Sequence, residues 1–448
     1  MSSGGKASVR QLELPLETPG DEAITGTRGE DAPVEEKNLL ERMLEAKNLR
    51  RALHQVRRNQ GAPGVDGMTV EDLGVYLKTH WPTIRAALLE GTYAPQPVRR
   101  TAIPKPGGGT RNLGIPTVLD RFIEQALLQV LQEEWDATFS ERSYGFRPQR
   151  NAHQAVEQAQ AYIRAGYTWV VDIDLEKFFD RVNHDVLMSR VRQRVKDRRV
   201  VSLIHRFLKA GVLTLEGSIE PTAEGTPQGG PLSPLLANLL LDELDKELEK
   251  RGHRFVRYAD DANIYVRSRQ AGERVMVSVT RFLKRKLRLT VNEAKSAVDR
   301  PWNRTFLGFT FTQRQFNRRK VSEKALKTFQ AKVRALTGRT RGRTVQQIVQ
   351  ELRQLLLGWR AFFGFAEVHS PLRDLDKWIR RRLRSYHWKQ WGRRGYRELR
   401  KRGVGRQLAW NTAKSAHGPW RLSQSPALAI ALPQRYFAAL GLPSLFEG

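Results

Sequence analysis

From Asn38 onward apolar residues recur at helical spacing. Leu39, Leu40, Met43, Leu44, Leu49, Ala52, Leu53 and Val56 fall three or four positions apart, the signature of helix with one buried face. NQGAPGVDG (59–67) then breaks the pattern with glycine and proline. The stretch 93–130 predicts a basic hairpin turning at PGGG (106–109), followed by an amphipathic helix from about Leu119. YGFRPQRNAHQAV (144–156) leads into a helix, TWVVDIDLEKFFDRV (168–182) reads as strand then turn, and 184–211 as helix. GTPQGGPLSPLLANLLLDELDKEL (225–248) is a glycine-rich loop running into an apolar helix; a hairpin around Asp260, a helix over 271–287 and a β-prone RTFLGFTF (304–311) follow. After Lys320 the strand signal fades. Ala325, Leu326, Phe329, Val333 and Leu336 make one helical stripe, and Val345, Ile348, Val349, Leu352, Leu355, Leu356 and Trp359 a second. Strands and helices alternate without a regular βαβ repeat, which points to the α+β class.

Composition narrows the function classes. The 448 residues suffice for two or three domains, and no segment is apolar for the length a bilayer span requires, so no membrane partner is expected. The N-terminus lacks the apolar core of a secretory signal, which sets a bacterial cytoplasmic location as the expectation. With no cysteine, thiolate catalysis and thiolate-ligated zinc are excluded, and any metal must sit on oxygen or imidazole. Lys and Arg total 77 against 47 Asp and Glu, a formal charge of +30 that makes a polyanion the default partner. Eight acids lie within residues 1–36, a stretch with little periodicity that reads as a disordered tail. Residues 377–406 hold thirteen Lys and Arg against the single acid Glu398, interleaved with Trp378, Tyr386, Trp388, Trp391 and Tyr396. Cations among aromatics suit phosphate contact and base stacking together, so Arg380, Arg381, Arg382, Arg384, Trp388, Arg393 and Arg394 are the expected nucleic-acid contacts.

Against that basic background RYADDANIYV (257–266) sets Asp260 and Asp261 side by side between two β-prone runs. Adjacent acids in a hairpin turn need no function. A second acid-bearing strand shifts the balance toward chemistry: in VVDIDLEKFFD, period-two alternation points Asp172 and Asp174 to one face and Trp169, Val171 and Ile173 to the other. Converging carboxylates repel unless divalent cations bind between them. Hard Mg²⁺ favours such oxygen ligands, Mn²⁺ suits the same set, and two ions would give the arrangement that serves in-line phosphoryl transfer.

These residues sit within an ordered series of blocks: NQGAPGVDG, IPKPGGGTRNLGIP, YGFRP, DLEKFFD, GTPQGGPLSPLLANL, RYADD, LTVNEAKS, FLGF and LLGWRAFFGF. In that order, from about Asn38 to the end, the chain resembles the reverse transcriptases encoded by group II introns. The resemblance implies a right-hand polymerase of fingers, palm and helical thumb, with an N-terminal extension and a basic DNA-binding region. It implies divisions near 37–92 for the extension, 93–315 for fingers and palm, 316–368 for the thumb or maturase domain and 369–448 for the basic region. It also implies that Asp174, Asp260 and Asp261 bind the catalytic metals, with Asp172 a supporting acid. Lys105 and Arg111 would grip the triphosphate, Phe179 would exclude a 2′-hydroxyl, and Gln228 would brace template or nucleotide. Read by itself, Phe179 is equally a core aromatic. Lys295 is either a proton donor or phosphate contact, or an ordinary exposed lysine.

The implied partners are group II intron RNA, an RNA template with its DNA primer, target DNA and deoxynucleoside triphosphates. The chain shows no His–Asn–His run and no cysteine pairs, so the compact type without an H-N-H endonuclease module is expected. The implied function is copying intron RNA into DNA together with support of intron splicing. Two alternatives stay open: a domesticated reverse transcriptase in defence or repair, and an RNA-binding splicing cofactor whose polymerase site is idle.

Overall fold

The computed structural model describes residues 39–104, 110–214, 216–227, 229–313 and 316–446. The tail 1–36, Lys105 with the PGGG turn, and Gln228 lie outside these residues, as does the side chain of Arg111. The chain divides into two compact units: residues up to Ala155 together with Trp169–Val298, and Val156–Thr168 together with the chain from Asp299 onward. Among the described residues no helix is long and apolar enough to cross a membrane.

The first unit opens with helices α1 (Leu39–Met43), α2 (Ala46–Asn59) and α3 (Leu73–Leu89), then strands β1 (Val98–Pro104) and β2 (Thr110–Ile115) and helix α4 (Val118–Trp135). After α5 (Ala152–Arg164) come β3 (Trp169–Ile173), α6 (His184–Arg194), α7 (Arg198–Lys209), β4 (Val212–Leu213) and β5 (Ile219–Glu220). The unit closes with α8 (Ser233–Lys250), β6 (Arg254–Tyr258), β7 (Asp261–Val266), α9 (Arg269–Phe282) and β8 (Ala297–Asp299). Two four-stranded sheets result, in the orders β2-β1-β4-β5 and β6-β7-β3-β8. Helices α4 and α8 are apolar on most faces and run through one continuous core, from Leu40 in α1 to Val291. The helix expected over 184–211 is two helices, because Val195 is extended and Asp197 caps α7 by accepting from the Arg199 amide.

In the second unit β9 (Phe309–Phe311) pairs antiparallel with β10 (Arg319–Val321), and helices α10 (Glu323–Leu336), α11 (Val345–Phe363) and α12 (Ser370–Trp391) follow. Thr344 and Gln347 form a reciprocal capping box at the start of α11. Five shorter helices, α13 (Gly395–Lys401), α14 (Arg406–Lys414), α15 (Pro419–Leu422), α16 (Pro426–Ala431) and α17 (Gln434–Ala439), complete it. Of RTFLGFTF only Phe309–Phe311 is strand, since Leu307 and Gly308 turn the chain at φ 51° and 82°. The Phe309 ring meets those of Phe362, Phe363 and Phe365. That aromatic packing draws the β9–β10 hairpin into the helical unit, which takes in the chain from Asp299 onward.

Two buried acids one turn apart on α4 shape the first unit. Asp120 accepts from Tyr93 Oη at 2.7 Å, Thr117 Oγ1 at 2.7 Å and the Gln96 amide at 3.1 Å. Glu124 accepts the Leu232 amide at 3.2 Å and fills the space where a Cβ on Gly230 would stand, 2.4 Å from its Oε2. Burial pushes the Glu124 carboxyl up to about 8 and raises that of Asp120 as well. At neutral pH the folded chain therefore keeps a proton on Glu124 that the unfolded chain releases. The stability this proton confers is complete below the ordinary glutamate range and is lost as pH rises to about 8. Glu124→Gln, which imitates the protonated form, should flatten the fall in melting temperature between pH 5 and pH 8; an unchanged slope would place the ionised carboxylate in the native state.

Candidate active site

The sheet β6-β7-β3-β8 sorts its side chains by strand register. Tyr258 pairs with Asp261, Arg257 with Ala262 and Ile173 with Ala262. Cross-strand partners share a face, so Tyr258 and Asp261 stand on one side while Arg257, Ala262 and Ile173 stand on the other. β3 ends at Ile173; carried one residue further, its register sets Asp174 opposite Asp261. Asp172 pairs with Asn263 two positions earlier on that same face. Between the paired strands Ala259 and Asp260 form a two-residue turn, with Ala259 in the left-handed region at φ 56°. The hairpin expected around Asp260 is present, and its turn carries the acid.

A buried arginine holds this turn from beneath. Arg257 is 1% exposed and donates Nε to both carboxylate oxygens of Asp245, at 2.8 and 3.0 Å. Its Nη2 reaches Asp245 Oδ2 at 2.5 Å, while Nη1 donates to Asn238 Oδ1 at 3.0 Å and to the Ala259 carbonyl at 2.9 Å. Asp245 and Asn238 both lie on α8, so the planar fork ties the Ala259–Asp260 turn to that helix. The YGFRP segment clamps the turn from the side. The Tyr144 amide donates to the Arg257 carbonyl at 2.9 Å, and Asn238 Nδ2 donates to the Gly145 carbonyl at 2.8 Å. A Cβ on Gly145 would stand 2.3 Å from the Ala259 nitrogen, so only glycine permits the approach.

Asp174 is fixed by LTVNEAKS. Its carbonyl accepts the Asn292 amide at 2.8 Å, its amide donates to Ser296 Oγ at 3.0 Å, and Glu176 donates to the Thr290 carbonyl at 2.9 Å. Lys295 Nζ lies 3.1 Å from Asp174 Oδ2 in a largely solvated pair. Asn292 and Ser296 are positioning residues that the sequence reading passed over; their signal was the NEAKS block itself. Among the described residues no three His, Asp or Glu side chains stand close enough together to hold a metal ion, so the tight convergence expected of the three acids is absent. Lys295 instead faces Asp174 with a positive charge. The candidate donors are all carboxylate oxygens, the chemistry that a hard divalent cation prefers.

Phe179 lines a cavity of about 540 Å³ bounded by β1, β2 and the segment 220–227, with Arg100, Asn112, Lys177 and Arg181 on its walls. Its ring packs edge-on against buried Phe178, and its carbonyl accepts the Thr226 amide at 2.7 Å. The ring is therefore half-buried, packed against the core on one side and lining the cavity on the other. Gly229 and Gly230 allow the backbone approach expected of them, with ideal Cβ positions 2.4 Å from the Gly114 carbonyl and from Glu124 Oε2.

In the second unit the basic run splits into two groups. Arg381 lies over the Trp420 ring at 3.9 Å, Arg382 Nε donates to Thr337 Oγ1 at 2.5 Å, and Arg384 Nε donates to the Leu432 carbonyl at 3.0 Å. Burial lowers the affinity of Arg382 and Arg384 for their protons. These three guanidinium groups make contacts inside the fold. Trp388 packs on Gly395 and against Trp391, and Arg380 is half-buried. Arg393 and Arg394 face solvent. Trp410, 52% exposed with Lys414 Nζ 4.9 Å from its ring centre, is an aromatic–cation pair that lies beyond the run and so escaped a reading centred on charge density.

Residues 103–311 match the family described as reverse transcriptase (RNA-dependent DNA polymerase), and residues 326–404 match the group II intron maturase-specific domain. The chain belongs to the group II intron reverse transcriptase/maturase family. This reverse transcriptase/maturase is 40% identical over 153 residues to protein YkfC of Escherichia coli (strain K12), covering 33% of this chain and 40% of YkfC. It is 39% identical over 128 residues to the group II intron-encoded protein LtrA of Lactococcus lactis subsp. cremoris, covering 28% of this chain and 21% of LtrA. The matches thus span less than half of either relative. A chain of the partial Cas6-RT-Cas1–Cas2 complex aligns at 26% identity and TM-score 0.36, over 56% of this chain and 43% of that one. In this family member Arg257→Lys keeps the charge but loses the fork. It should cost roughly 2–4 kcal/mol in denaturant unfolding, because Asp245 and the Ala259 carbonyl lose partners in the core. A loss below about 0.5 kcal/mol would show that the fork contributes little.

Proposed function

We propose that the protein is an RNA-directed DNA polymerase that copies group II intron RNA into DNA and, through its helical unit, binds the intron and assists its splicing. The observation that carries the polymerase reading is the strand register that puts Asp172 on the sheet face of Asp261, with Asp174 just past the end of β3 and the Asp260 turn beside it, braced by LTVNEAKS and Arg257. Matches to the two family domains, in the order polymerase then maturase, support the pairing of activities.

Asp174, Asp260 and Asp261 would hold divalent cations, two Mg²⁺ by this reading, with Mn²⁺ an acceptable substitute. Bound there, such ions supply positive charge to the attacking 3′-hydroxyl and to the leaving phosphate. The chain's own residues do the positioning. Phe179 lies in the cavity wall, where a flat ring beside the sugar would disfavour a 2′-hydroxyl; Arg100, Lys177 and Arg181 line that cavity together with the acids Asp180, Glu220 and Glu224. Lys105, Arg111 and Gln228 belong to this reading as further nucleotide and template contacts. Lys295 balances the charge of Asp174 until substrate and cations arrive. RNA template with DNA primer, deoxynucleoside triphosphates, intron RNA and target DNA are the proposed partners.

The double substitution Asp260→Asn with Asp261→Asn should abolish extension of a DNA primer on an RNA template in Mg²⁺ while intron RNA affinity stays within about twofold, since no phosphate contact is removed. Extension that survives would refute the site assignment. Tight RNA binding with no extension by wild-type protein would favour a splicing cofactor. For the basic region, removal of exposed Arg393 and Arg394 should lower the slope of log Kd against log salt for DNA by about 1 to 2. A slope equal to wild type would exclude both from the interface.

A further inference from the structure

The segment 222–227 runs along the backbone of Phe179 and is fixed there by main-chain contacts. The Gly225 amide donates to the Val182 carbonyl at 2.8 Å, and the Thr226 amide to the Phe179 carbonyl at 2.7 Å. Gly225 sits at φ 91°, and a Cβ on it would stand 2.8 Å from the Asp180 carbonyl oxygen and 2.9 Å from that of Phe179. Gly225 and Thr226 thus form a strap lying on the peptide groups that carry the Phe179 ring, and strap and ring line the same cavity. Pro227 follows without an amide hydrogen, so the backbone donors of the strap end at Thr226.

A further tie comes from a side chain. His184, the first residue of α6, is 5% exposed, and its Nε2 stands 2.6 Å from the Gly225 carbonyl. A carbonyl oxygen only accepts, so Nε2 carries the proton and donates it. His184 Nδ1 is buried with no hydrogen-bond partner among the described residues, as is Thr226 Oγ1. A bare buried nitrogen costs stability that an apolar side chain of the same size would not. What sets the imidazole apart from such a side chain is its bond to the strap. We propose that His184 is a positioning residue for sugar discrimination: by holding the Gly225 carbonyl it keeps the strap against the Phe179 backbone, and so keeps the ring where a 2′-hydroxyl would stand. This rests on the polymerase reading above, with Phe179 as its gate. A wall that excludes a hydroxyl by shape works only while it is placed to within about an ångström, so a strap that lifts admits the larger sugar.

The test measures kcat/KM for a deoxynucleotide and for the matching ribonucleotide during extension of a DNA primer on an RNA template. Wild type is compared with His184→Leu, His184→Gln, Phe179→Ala and the double variant His184→Leu with Phe179→Ala. His184→Leu removes the donor and should lower the preference for deoxynucleotide about tenfold, by raising kcat/KM for the ribonucleotide. Glutamine sets an amide nitrogen at the same reach as Nε2, so His184→Gln should restore the preference. On the Phe179→Ala background the leucine substitution should change the preference no further, because both act on one wall. His184→Asn, one bond shorter, makes the same comparison if the leucine variant does not fold. An unaltered preference in the variant without the donor overturns the proposal. An equal fall of kcat/KM for both nucleotides makes His184 a packing residue and overturns it too, as does an additive loss in the double variant. Wild-type preference in Phe179→Ala refutes the gate, and a wild type that does not extend refutes the polymerase reading; the role of His184 falls with either.

Discussion

A single buried guanidinium organises the Asp260 turn and the strands that carry it. Arg257 sits at the end of β6, where strand alternation drives it beneath the sheet while Asp261, four residues on, rises above it. Burying a cation in such a core is costly unless every donor is matched. Asp245, Asn238 and the Ala259 carbonyl together supply the match. Because the last of these acceptors is the backbone of the turn itself, the requirement to satisfy the arginine also fixes where Asp260 begins. The helix α8, apolar on most sides, is the rigid body that both Asp245 and Asn238 are mounted on.

Around that anchor, rigidity is supplied by backbone contacts more than by side chains. Glycines at 145 and 229 let one segment lie directly on another's peptide groups, and NEAKS braces Asp174 through the Asn292 amide and the Ser296 hydroxyl. Such contacts hold positions to fractions of an ångström without consuming the polar side chains that face substrate. The acids are left on a supported edge, and a cation, Lys295, faces one of them.

Much of this was legible in the residues alone. The strand bearing Asp172, the Asp260 hairpin, the glycine-rich loop before α8 and the two helical stripes after Lys320 all follow from periodicity and turn chemistry. What periodicity does not encode is partnership across distance. Arg257 reads as one more cation in a basic chain, and only the fold reveals that Asp245, twelve residues away in sequence, is its partner. Arg381, Arg382 and Arg384 show the same limit: half-buried, they also stack on Trp420 and bond to Thr337 and Leu432, ties that charge density does not announce. Trp410, outside the dense run, stayed exposed. The break between α6 and α7 was hidden because a single capping aspartate outweighed a helix-like pattern.

The helical unit is discontinuous in sequence. Residues 156–168 belong with the chain after Asp299, and Gln160, 2% exposed, donates to the Asn317 carbonyl at 2.9 Å and to Glu367 Oε2 at 2.6 Å. A segment inherited from before the catalytic strand is thus built into the domain that follows it. Recombination at the 298–299 junction would exchange an incomplete domain and strand Gln160 and Glu367 without each other. Each of the two stretches therefore completes the other's hydrogen bonding, and the unit is whole only when both are present.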